Sequence, residues 1–272
     1  MPSYLITGTS GSIGFELLRQ ASSNPDNVVV GLVRSKAKME ERLAKELPNQ
    51  KNVHIFEADL ADYKSLAATV EPVSKVLGGS LDYLIANAAY MGQWAAVKPF
   101  EEQAKDPETL IAEYNKDFNI NVLGNIHLFN LYLPLIRAGN TKKVIAISSG
   151  HADFDLVTKF HIHETAPYTI AKTALNMVIA KYHAAYADEG ILFMSLCPGL
   201  VENDNSRAPP SEDMAKYGPA LFAKFAAFAP HLSGATTPDG PAADILRISA
   251  DASIEKGWGG SFTSHNGGKQ WL

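Results

Sequence analysis

The feature that most constrains the fold of this chain is the repeated alternation of short, continuously apolar segments with longer helical ones. Strands are predicted at residues 3–8, 27–33, 52–60, 81–87, 142–148 and 191–199. Helices are predicted at residues 12–22, 38–47, 63–77, about 107–137 and from Pro167 onward. Strands that are apolar on both faces indicate a parallel sheet covered by helices. With right-handed crossovers, this order predicts an α/β fold, a three-layer doubly wound Rossmann fold with a central parallel sheet of about seven strands.

Composition sets the size of the protein and excludes several classes of function. With 272 residues, 46% of them hydrophobic, the chain can form a single domain over residues 1–272. A formal net charge of −5 offers no basic surface to a nucleic acid. No apolar run is long enough to span a membrane, and the N-terminus opens on a predicted strand rather than a signal peptide. The lone Cys197 excludes an intrachain disulfide, which is typical of a reducing compartment, so we predict a cytoplasmic protein. The charge and the lack of a long apolar run predict no nucleic-acid or membrane partner.

The turn between the first predicted strand and helix, TGTSGSIG at residues 7–14, has the features of a phosphate-binding loop. Gly8 permits a sharp turn, and Gly14 lets the helix approach the sheet closely. The start of the helix presents free N–H groups to an anion. The glycine spacing departs from G-x-G-x-x-G, so the position of the turn in a strand–turn–helix unit carries the prediction. The predicted cofactor contacts of this turn are Gly8, Ser10, Gly11, Ser12, Ile13 and Gly14.

A second motif, PYTIAK at residues 167–172, places a phenol and an ammonium at helical spacing. Pro167 suits the first position of a helix, and Thr165 or Glu164 can cap it. Residues i and i+4 share a helix face, so Tyr168 and Lys172 should lie together. The pair has two readings: catalytic groups, or an ordinary helix contact with Tyr168 in an apolar core stripe.

Taken in order, the motifs of this chain resemble those of the short-chain dehydrogenase/reductase family. They are TGTSGSIG, ANAA at 86–89, NVLG at 121–124, ISS at 147–149 and YTIAK at 168–172. The resemblance extends from residue 3 to about residue 205. The tail GGSFTSHNGGKQWL is similar to that of a fungal and bacterial subgroup related to C-factor and carbonyl reductases.

This resemblance implies an oxidoreductase that reversibly reduces a ketone or aldehyde of a hydrophobic small molecule. Tyr168 would be the general acid and base. Lys172 and the positive nicotinamide ring of the oxidised cofactor would lower the pKa of its phenol, and Lys172 would also bind the nicotinamide ribose. Ser149 would hold the substrate oxygen, with Ser148 as the alternative. Asn121 would anchor a water molecule for proton relay.

Several positions depart from the family pattern. Ser12 stands where the family has a glycine, alanines flank Asn87, and Asn203 replaces a common threonine. These changes keep two alternatives open: a non-redox step such as isomerisation or cyclisation with a structural dinucleotide, or a non-catalytic nucleotide-binding regulator.

The end of the second predicted strand favours NADP(H) over NAD(H). No carboxylate follows Val33, and Arg34 can pair with a 2′-phosphate. The alternative is that Arg34 is a solvated loop charge, with NAD as the cofactor. By resemblance, the remaining cofactor contacts are Asp59 at the adenine, Leu60, Asn87 in the groove, and Pro198, Gly199 and Val201 beside the nicotinamide, together with Tyr168 and Lys172.

The predicted variable segment, about residues 203–237, contains the substrate-binding elements. An apolar helix at 214–232 would form a lid through Phe222, Phe225 and Phe228, with Tyr90, Met91 and Trp94 facing it from another loop; plain packing is the alternative.

Histidines and helix surfaces complete the predicted partners. His151, His161 and His163 lack the cysteine and carboxylate company of a zinc site, so no metal is predicted. By resemblance, the helix at 107–137 and the helix after Pro167 would pair across a two-fold axis in a homodimer or homotetramer.

Overall fold

A single all-parallel sheet of seven strands forms the centre of the computed structural model, which describes residues 1–203 and 209–272. The strand order is β3-β2-β1-β4-β5-β6-β7. The bounds are β1 Ser3–Thr7, β2 Val28–Val33, β3 Val53–Glu57, β4 Tyr83–Ala86, β5 Lys143–Ile147, β6 Leu192–Cys197 and β7 Phe262–Ser264. The predicted doubly wound Rossmann fold is confirmed, with strand ends shifted by at most three residues.

Helices cover both faces of the sheet. Their bounds are α1 Ser12–Ser22, α2 Lys36–Glu46, α3 Tyr63–Leu77, α4 Phe100–Gln103, α5 Pro107–Phe118, α6 Gly124–Ala138, α7 Phe154–Lys159, α8 Ala166–Tyr186, α9 Glu212–Phe228 and α10 Asp239–Asp251. One apolar core joins α3, α6 and α8 to the sheet, and a second joins α1, α2 and α10 to the opposite face. Neighbouring strand residues alternate between the two cores: Leu5 lies in the first and Ile6 in the second.

The strand order places a crevice above β1. β1 pairs with β2 on one side, where Leu5 lies opposite Val30, and with β4 on the other, where Leu5 lies opposite Leu84. The connections diverge from this position, and in open α/β sheets ligands bind at such a switch point, beyond the carboxyl ends of the strands. The turn that begins at Gly8 lies at this end of β1.

The predicted helix at 107–137 is interrupted. A π-helical turn, Asn119–Leu123, separates α5 from α6, although the backbone stays right-handed helical across the junction. The side chain of Asn121 makes two hydrogen bonds with the backbone of Tyr90 in a different segment. Such turns are frequent at functional sites, and a tertiary contact of this kind leaves no periodicity in the sequence.

The predicted caps of α8 are wrong. The helix starts at Ala166, which puts Pro167 at its second position, and Thr165 at the N-cap makes no capping side-chain bond. Thr165 adopts a left-handed backbone with φ 55° and turns its hydroxyl to His151, 2.7 Å from Nδ1. The carboxylate of Glu164 is instead paired with Lys224 at 2.7 Å.

A buried aspartate fixes the edge of the sheet where its strands begin. One carboxylate oxygen of Asp82 accepts hydrogen bonds from the amide and hydroxyl of Ser3 at 2.9 and 3.1 Å. The other oxygen accepts the amides of Asn140 and Thr141, each at 3.0 Å. Asp82 therefore joins β1, β4 and the chain that enters β5. Among the described residues, no helix has both the length and the apolar character needed to cross a membrane.

Candidate active site

The glycines of the turn after β1 leave room for an anion at the start of α1. Gly8 has φ 71°, and a Cβ there would lie 2.9 Å from the Cα of Ala88. A Cβ on Gly14 would overlap the carbonyl oxygen of Gly8. Gly11 is the N-cap of α1 and brings no side-chain cap, so the first-turn amides, those of Ser12 and Ile13 among them, can meet a phosphate. These residues fit a dinucleotide pyrophosphate.

The walls of the crevice are braced by side chains of the predicted site. The Thr7 hydroxyl accepts the amides of Asn87 and Ala88 at 3.0 and 2.9 Å. The amide nitrogen of the Asn87 side chain donates to the carbonyl of Thr7 at 2.9 Å. On the other wall, the Ser12 hydroxyl donates to the carbonyl of Glu202 at 2.8 Å. Ser12 thus offers a ligand its backbone amide, while its hydroxyl ties the turn to the segment after β6.

Two arginines lie at the end of β2 and beside the phosphate turn. Arg34, directly after β2, is exposed, and no hydrogen bond or ion pair ties its side chain to another described residue. Arg42 was missed by the sequence analysis: its Nη1 donates to the carbonyl of Ser10 at 3.1 Å, and its guanidinium lies 3.6 Å from the centre of the Phe15 ring. Arg42 also pairs with Glu46 through Nε at 2.8 Å, and no local pattern in the charged sequence of α2 predicts its contact with the phosphate turn.

The predicted adenine contacts follow β3. Asp59 is half-buried, and its Oδ1 accepts the amide of Ala61 at 2.9 Å, which fixes the carboxylate on this loop. The side chain of Leu60 lies in the apolar core, so its backbone is the part open to a ligand. A Cβ on Gly124 would lie 2.5 Å from the carbonyl oxygen of Leu60, which shows how closely this loop approaches the start of α6.

The predicted nicotinamide contacts follow β6. Gly199 has φ 83°, which turns the chain directly after Pro198. Val201 then forms an isolated parallel bridge with Thr236, whose amide donates to the carbonyl of Leu200 at 2.9 Å. The segment is therefore held against the chain that enters α10. Residues 204–208 of the predicted variable segment lie outside the described part of the chain.

Tyr168 and Lys172 lie together on α8, as their spacing predicts. The Nζ of Lys172 is 5.6 Å from the centre of the Tyr168 ring. It also donates to the carbonyl oxygen of Ile147, the last residue of β5, at 2.6 Å. Because Ser149 follows two residues later, this bond brings the Tyr168–Lys172 pair to the segment that carries the predicted substrate-binding hydroxyl.

Burial dominates the electrostatics of this pair. Burial, with smaller contributions from the charges of Cys197 and Asp117, raises the pKa of Tyr168 well above its ordinary value. Burial also lowers the pKa of Lys172 to about 8, against the opposing effects of Asp117 and Cys197. Burial is the largest cause of the raised pKa of Tyr168, because the phenolate loses its hydration. The lowering of this pKa by Lys172 and an oxidised nicotinamide ring stays a prediction. A neutral phenol is the form that can donate a proton.

Asn121 lies behind the pair and is fully buried. Its Oδ1 accepts the amide of Tyr90 at 2.8 Å, and its Nδ2 donates to the carbonyl of Tyr90 at 2.7 Å and to Asp117 Oδ1 at 3.0 Å. The side chain therefore holds the loop after β4. Burial raises the pKa of Asp117 to about 6, so its carboxylate is a titratable neighbour of the Tyr168–Lys172 pair.

Ser149 is better placed for a substrate than Ser148. Ser148 is buried, and its hydroxyl makes no hydrogen bond to a described residue. Ser149 is half-buried, and its hydroxyl accepts the amide of His151 at 3.3 Å. It lines a cavity of about 70 Å³, whose other walls are Gly150, His151, Leu156, Cys197, Gly199, Leu200, Phe225, Trp271 and Leu272.

Trp271 is a cavity residue that the sequence analysis missed. Its ring stacks on Phe262 with centroids 4.4 Å apart. Its Cβ lies so close to Gly150 that any side chain there would overlap it. The tail was singled out for its family resemblance alone, and no local pattern shows that it returns to the segment after β5.

The apolar helix predicted at 214–232 is present as α9, Glu212–Phe228, and its three phenylalanines lie in different environments. Phe225 is buried at the cavity, whereas Phe222 is 55% exposed and points away from the core. Phe228 packs edge-on against Phe160 at 5.2 Å. Lys224 pairs with Glu164 at 2.7 Å and Lys98 with Asp213 at 3.2 Å, so two ion pairs join α9 to the body of the protein.

The loop predicted to face the lid is directed elsewhere. The hydroxyl of Tyr90 lies 3.3 Å from a carboxylate oxygen of Glu113, and Lys116 lies over its ring. Both partners belong to α5, so the prediction that Tyr90 faces α9 is wrong. Trp94 has Lys98 over its ring at 4.7 Å, and Lys98 is the residue paired with α9.

The histidines lie in separate environments. The ring of His151 faces Phe225, the Nδ1 of His163 is 3.2 Å from the ammonium of Lys224, and His161 is exposed. Across the described residues, no three His, Cys, Asp or Glu side chains are arranged to hold a metal ion.

A seven-stranded doubly wound sheet with a glycine turn at its switch point defines a Rossmann-type protein. The family model for short chain dehydrogenases matches residues 3–213. The chain therefore belongs to the short-chain dehydrogenase family, an oxidoreductase family, and the resemblance seen in its motifs is confirmed.

Fungal relatives match the whole chain. It is 45% identical over 272 residues to the short chain dehydrogenase virK of Hypocrea virens, with 100% of each chain covered. It is 42% identical over 274 residues to the short-chain dehydrogenase/reductase iacC of Pestalotiopsis fici, again over 100% of each. The NADPH-bound carbonyl reductase from chicken fatty liver has the same fold, with a TM-score of 0.74 at 21% identity and 98% of each chain covered.

Proposed function

We propose that this protein is an NADP(H)-dependent carbonyl reductase that converts a ketone or aldehyde of a hydrophobic small molecule into an alcohol, and the alcohol back. The observation that carries the proposal is the position of Tyr168 and Lys172. Lys172 lies 5.6 Å from the centre of the Tyr168 ring and donates to the carbonyl of Ile147, two residues before Ser149, which supports a site shared by these three side chains. Family membership supports the same reaction class.

The roles of the residues follow from their protonation. Tyr168 is neutral at pH 7, because burial raises the pKa of its phenol, and it would donate its proton to the substrate oxygen. Ser149 would orient that oxygen by hydrogen bonding. Lys172, anchored on Ile147, would stabilise the phenolate as the proton leaves and hold the ribose. The dinucleotide, when bound, supplies the hydride.

A preference for NADP(H) is supported by charge at the end of β2. Arg34 is exposed and unpaired among the described residues, and Arg42 reaches the phosphate turn from α2. A guanidinium pairs well with a phosphate. The carboxylate of Glu57, at the end of the neighbouring strand β3, accepts the amide of Lys36 at 2.9 Å and so caps α2 rather than occupying the position after Val33.

The predicted partners remain proposals. An apolar substrate is supported by the cavity walls formed by Leu156, Phe225 and Trp271. A second copy of the chain is supported by exposed apolar residues seven apart on two helices: Ile111 and Phe118 on α5, Ile170 and Met177 on α8. Such residues form one stripe along each helix, as required of paired helices in a dimer or tetramer. A cytoplasmic location is supported by the lone, buried thiol of Cys197.

Absorbance at 340 nm tests the reaction directly. The purified protein is mixed with NADPH or NADH and a panel of aliphatic and aromatic ketones and aldehydes. We expect oxidation of NADPH with at least one apolar ketone, and slower oxidation of NADH. Tight binding of NADPH without turnover of any carbonyl would instead favour a non-redox enzyme or a nucleotide-binding regulator.

A further inference from the structure

One polar side chain of the cavity has no role in the proposed reaction. The ring of His151 lines the same cavity as Ser149, two residues further along the chain. Its Nδ1 is 2.7 Å from the hydroxyl of Thr165. Its Nε2 makes no hydrogen bond to any described residue, so Nε2 is the ring atom available to a molecule in the cavity.

The ring is held in place from two sides. The Thr165 hydroxyl also lies 3.1 Å from the hydroxyl of Thr169, one turn into α8. Thr165 holds this position with φ 55°, a conformation that costs a β-branched residue free energy and that persists where surrounding contacts determine it. On the other side, the ring of Phe225 lies 5.3 Å from that of His151, centroid to centroid. The orientation of the imidazole is therefore fixed before a ligand arrives.

The cavity suits a small polar substituent rather than a whole substrate. Its volume of about 70 Å³ is small beside the pockets of roughly 300–1,000 Å³ that enclose a whole drug-sized ligand, so it suits one substituent of a substrate. Its walls are mainly apolar, and the ionisable or hydroxyl-bearing side chains among them are Ser149, His151 and Cys197. The thiol of Cys197 is already engaged, because it accepts the amide of Gly150 at 3.0 Å and donates to the carbonyl of Trp271 at 3.8 Å. A group that enters here without a hydrogen bond to His151 would leave a polar ring atom unpaired, which costs free energy.

We infer that His151 binds a second oxygen of the substrate, so that the preferred substrate is a ketone that also carries a hydroxyl group. A hydroxyl both donates and accepts hydrogen bonds, so it fits Nε2 in either tautomer of the ring. Burial lowers the pKa of His151 to about 4, which keeps the imidazole neutral near pH 7 and favours a neutral group over a carboxylate. This inference rests on the proposed carbonyl reduction, since Ser149 and Tyr168 would hold the reacting oxygen.

Matched aromatic ketones test the inference. Acetophenone is compared with its 2′-, 3′- and 4′-hydroxy derivatives by kcat/KM for NADPH oxidation and by calorimetric Kd on the enzyme with NADP⁺. In the wild type, kcat/KM should be about tenfold higher for at least one hydroxy isomer than for acetophenone, and its Kd correspondingly lower. A tenfold ratio is about the contribution of one buried hydrogen bond. His151→Phe should remove that ratio, and His151→Gln, which keeps a hydrogen-bonding group, should restore part of it. Using the ratio between wild type and variant for each ketone cancels the effect of the hydroxyl on carbonyl reactivity.

The controls separate this inference from the reaction itself. His231→Phe changes an exposed histidine outside the cavity and should keep the wild-type ratio. If acetophenone is reduced but no hydroxy isomer gains in kcat/KM or Kd, the inference is overturned and the reductase stands. If no ketone is turned over, the reductase proposal fails, and the Kd ratios still decide whether His151 binds a hydroxyl. If the ratio of hydroxyacetophenone to acetophenone is unchanged in His151→Phe, the inference is also contradicted. If His151→Phe is not obtained as soluble protein, the ratios of the wild type and of His151→Gln decide.

Discussion

The ammonium of Lys172 lies 2.6 Å from the carbonyl oxygen of Ile147, at the last residue of β5. This bond fixes the position of α8 relative to the sheet edge and holds a cation where burial disfavours one. Burial lowers the pKa of Lys172 to about 8. The proton on this side chain is therefore lost close to the physiological range.

The first prediction concerns pH. If the ammonium of Lys172 stabilises the phenolate of Tyr168, kcat/KM for reduction should fall as pH rises through about 8. Asp117 opposes the effect of burial on the pKa of Lys172, so Asp117→Asn should move this limb to lower pH. Initial rates between pH 6 and 10 measure the position of this limb, and we expect it to shift by on the order of tenths of a pH unit or more.

The control for this shift is Glu108→Gln, which removes an exposed charge from the first turn of the same helix, α5. Its profile should match that of the wild type. An alkaline limb that stays in place or moves upward in Asp117→Asn would show that the carboxylate does not act on Lys172.

The second prediction concerns the cofactor. Arg34→Ala and Arg42→Ala should each raise the KM for NADPH by about tenfold, because each loses a charge-assisted bond to the 2′-phosphate. The KM for NADH should change little. Lys45→Ala, on the exposed face of α2 where Lys45 pairs with Glu41, is the control. Equal weakening of both cofactors would mean that the arginines support the fold rather than read the phosphate.

The third prediction concerns stability. Asp82→Ala removes the acceptor of four hydrogen bonds and leaves donors of Ser3, Asn140 and Thr141 unpaired, so the free energy of unfolding should fall by about 3 kcal/mol. Urea titration at pH 7 measures the loss, with exposed Asp26→Asn as control. No change in the midpoint would contradict the role of Asp82.

The same residue should contribute to acid sensitivity. Burial alone would raise the pKa of Asp82, but the hydrogen bonds from Ser3, Thr141 and Asn140 outweigh it, and the pKa lies below its usual value. A carboxylate whose pKa is depressed by folding stabilises the protein above the unfolded pKa, near 4, and that contribution is lost as pH falls through the folded pKa. Stability of Asp82→Ala should therefore change less between pH 5 and 3 than that of the wild type.

The fourth prediction concerns assembly. Met177 is 61% exposed at the centre of α8, and Met177→Glu should convert a dimer or tetramer into a monomer because it places a charge in the paired helices. Light scattering after size exclusion gives the mass. Phe154→Glu, at a more exposed position on α7, should leave the mass unchanged. A monomeric wild type, or an unchanged mass in Met177→Glu, would contradict the proposed interface.

The sequence was informative where function depends on neighbours along the chain. The strand–helix alternation predicted the sheet, and the i, i+4 spacing predicted that Tyr168 and Lys172 meet. The same local reasoning placed the boundaries of α1 and α3 where the structure has them. These features follow from periodicity and backbone geometry alone.

The remaining features depend on contacts between distant segments. Trp271 closes the cavity from the end of the chain, and Arg42 reaches Ser10 from a different element. The π turn contains Asn121, whose side chain bonds to the backbone of Tyr90. The hydroxyl of Thr165 bonds to His151 instead of capping α8. The raised pKa of Tyr168 is also a tertiary effect, since it comes from burial that a helix face does not reveal.

The most direct test of the proposed reaction compares the wild type with Tyr168→Phe. It measures single-turnover oxidation of NADPH in the presence of a ketone that the wild type reduces, and the Kd for NADPH on both proteins. Phenylalanine keeps the ring beside Lys172 and removes the proton donor, so the rate should fall by about a hundredfold or more while the Kd stays within about threefold. Ser149→Ala should slow the reaction as well, through loss of the bond to the substrate oxygen. A Tyr168→Phe variant that reduces the ketone at the wild-type rate would contradict the role of Tyr168 as the acid, and with it the proposed mechanism.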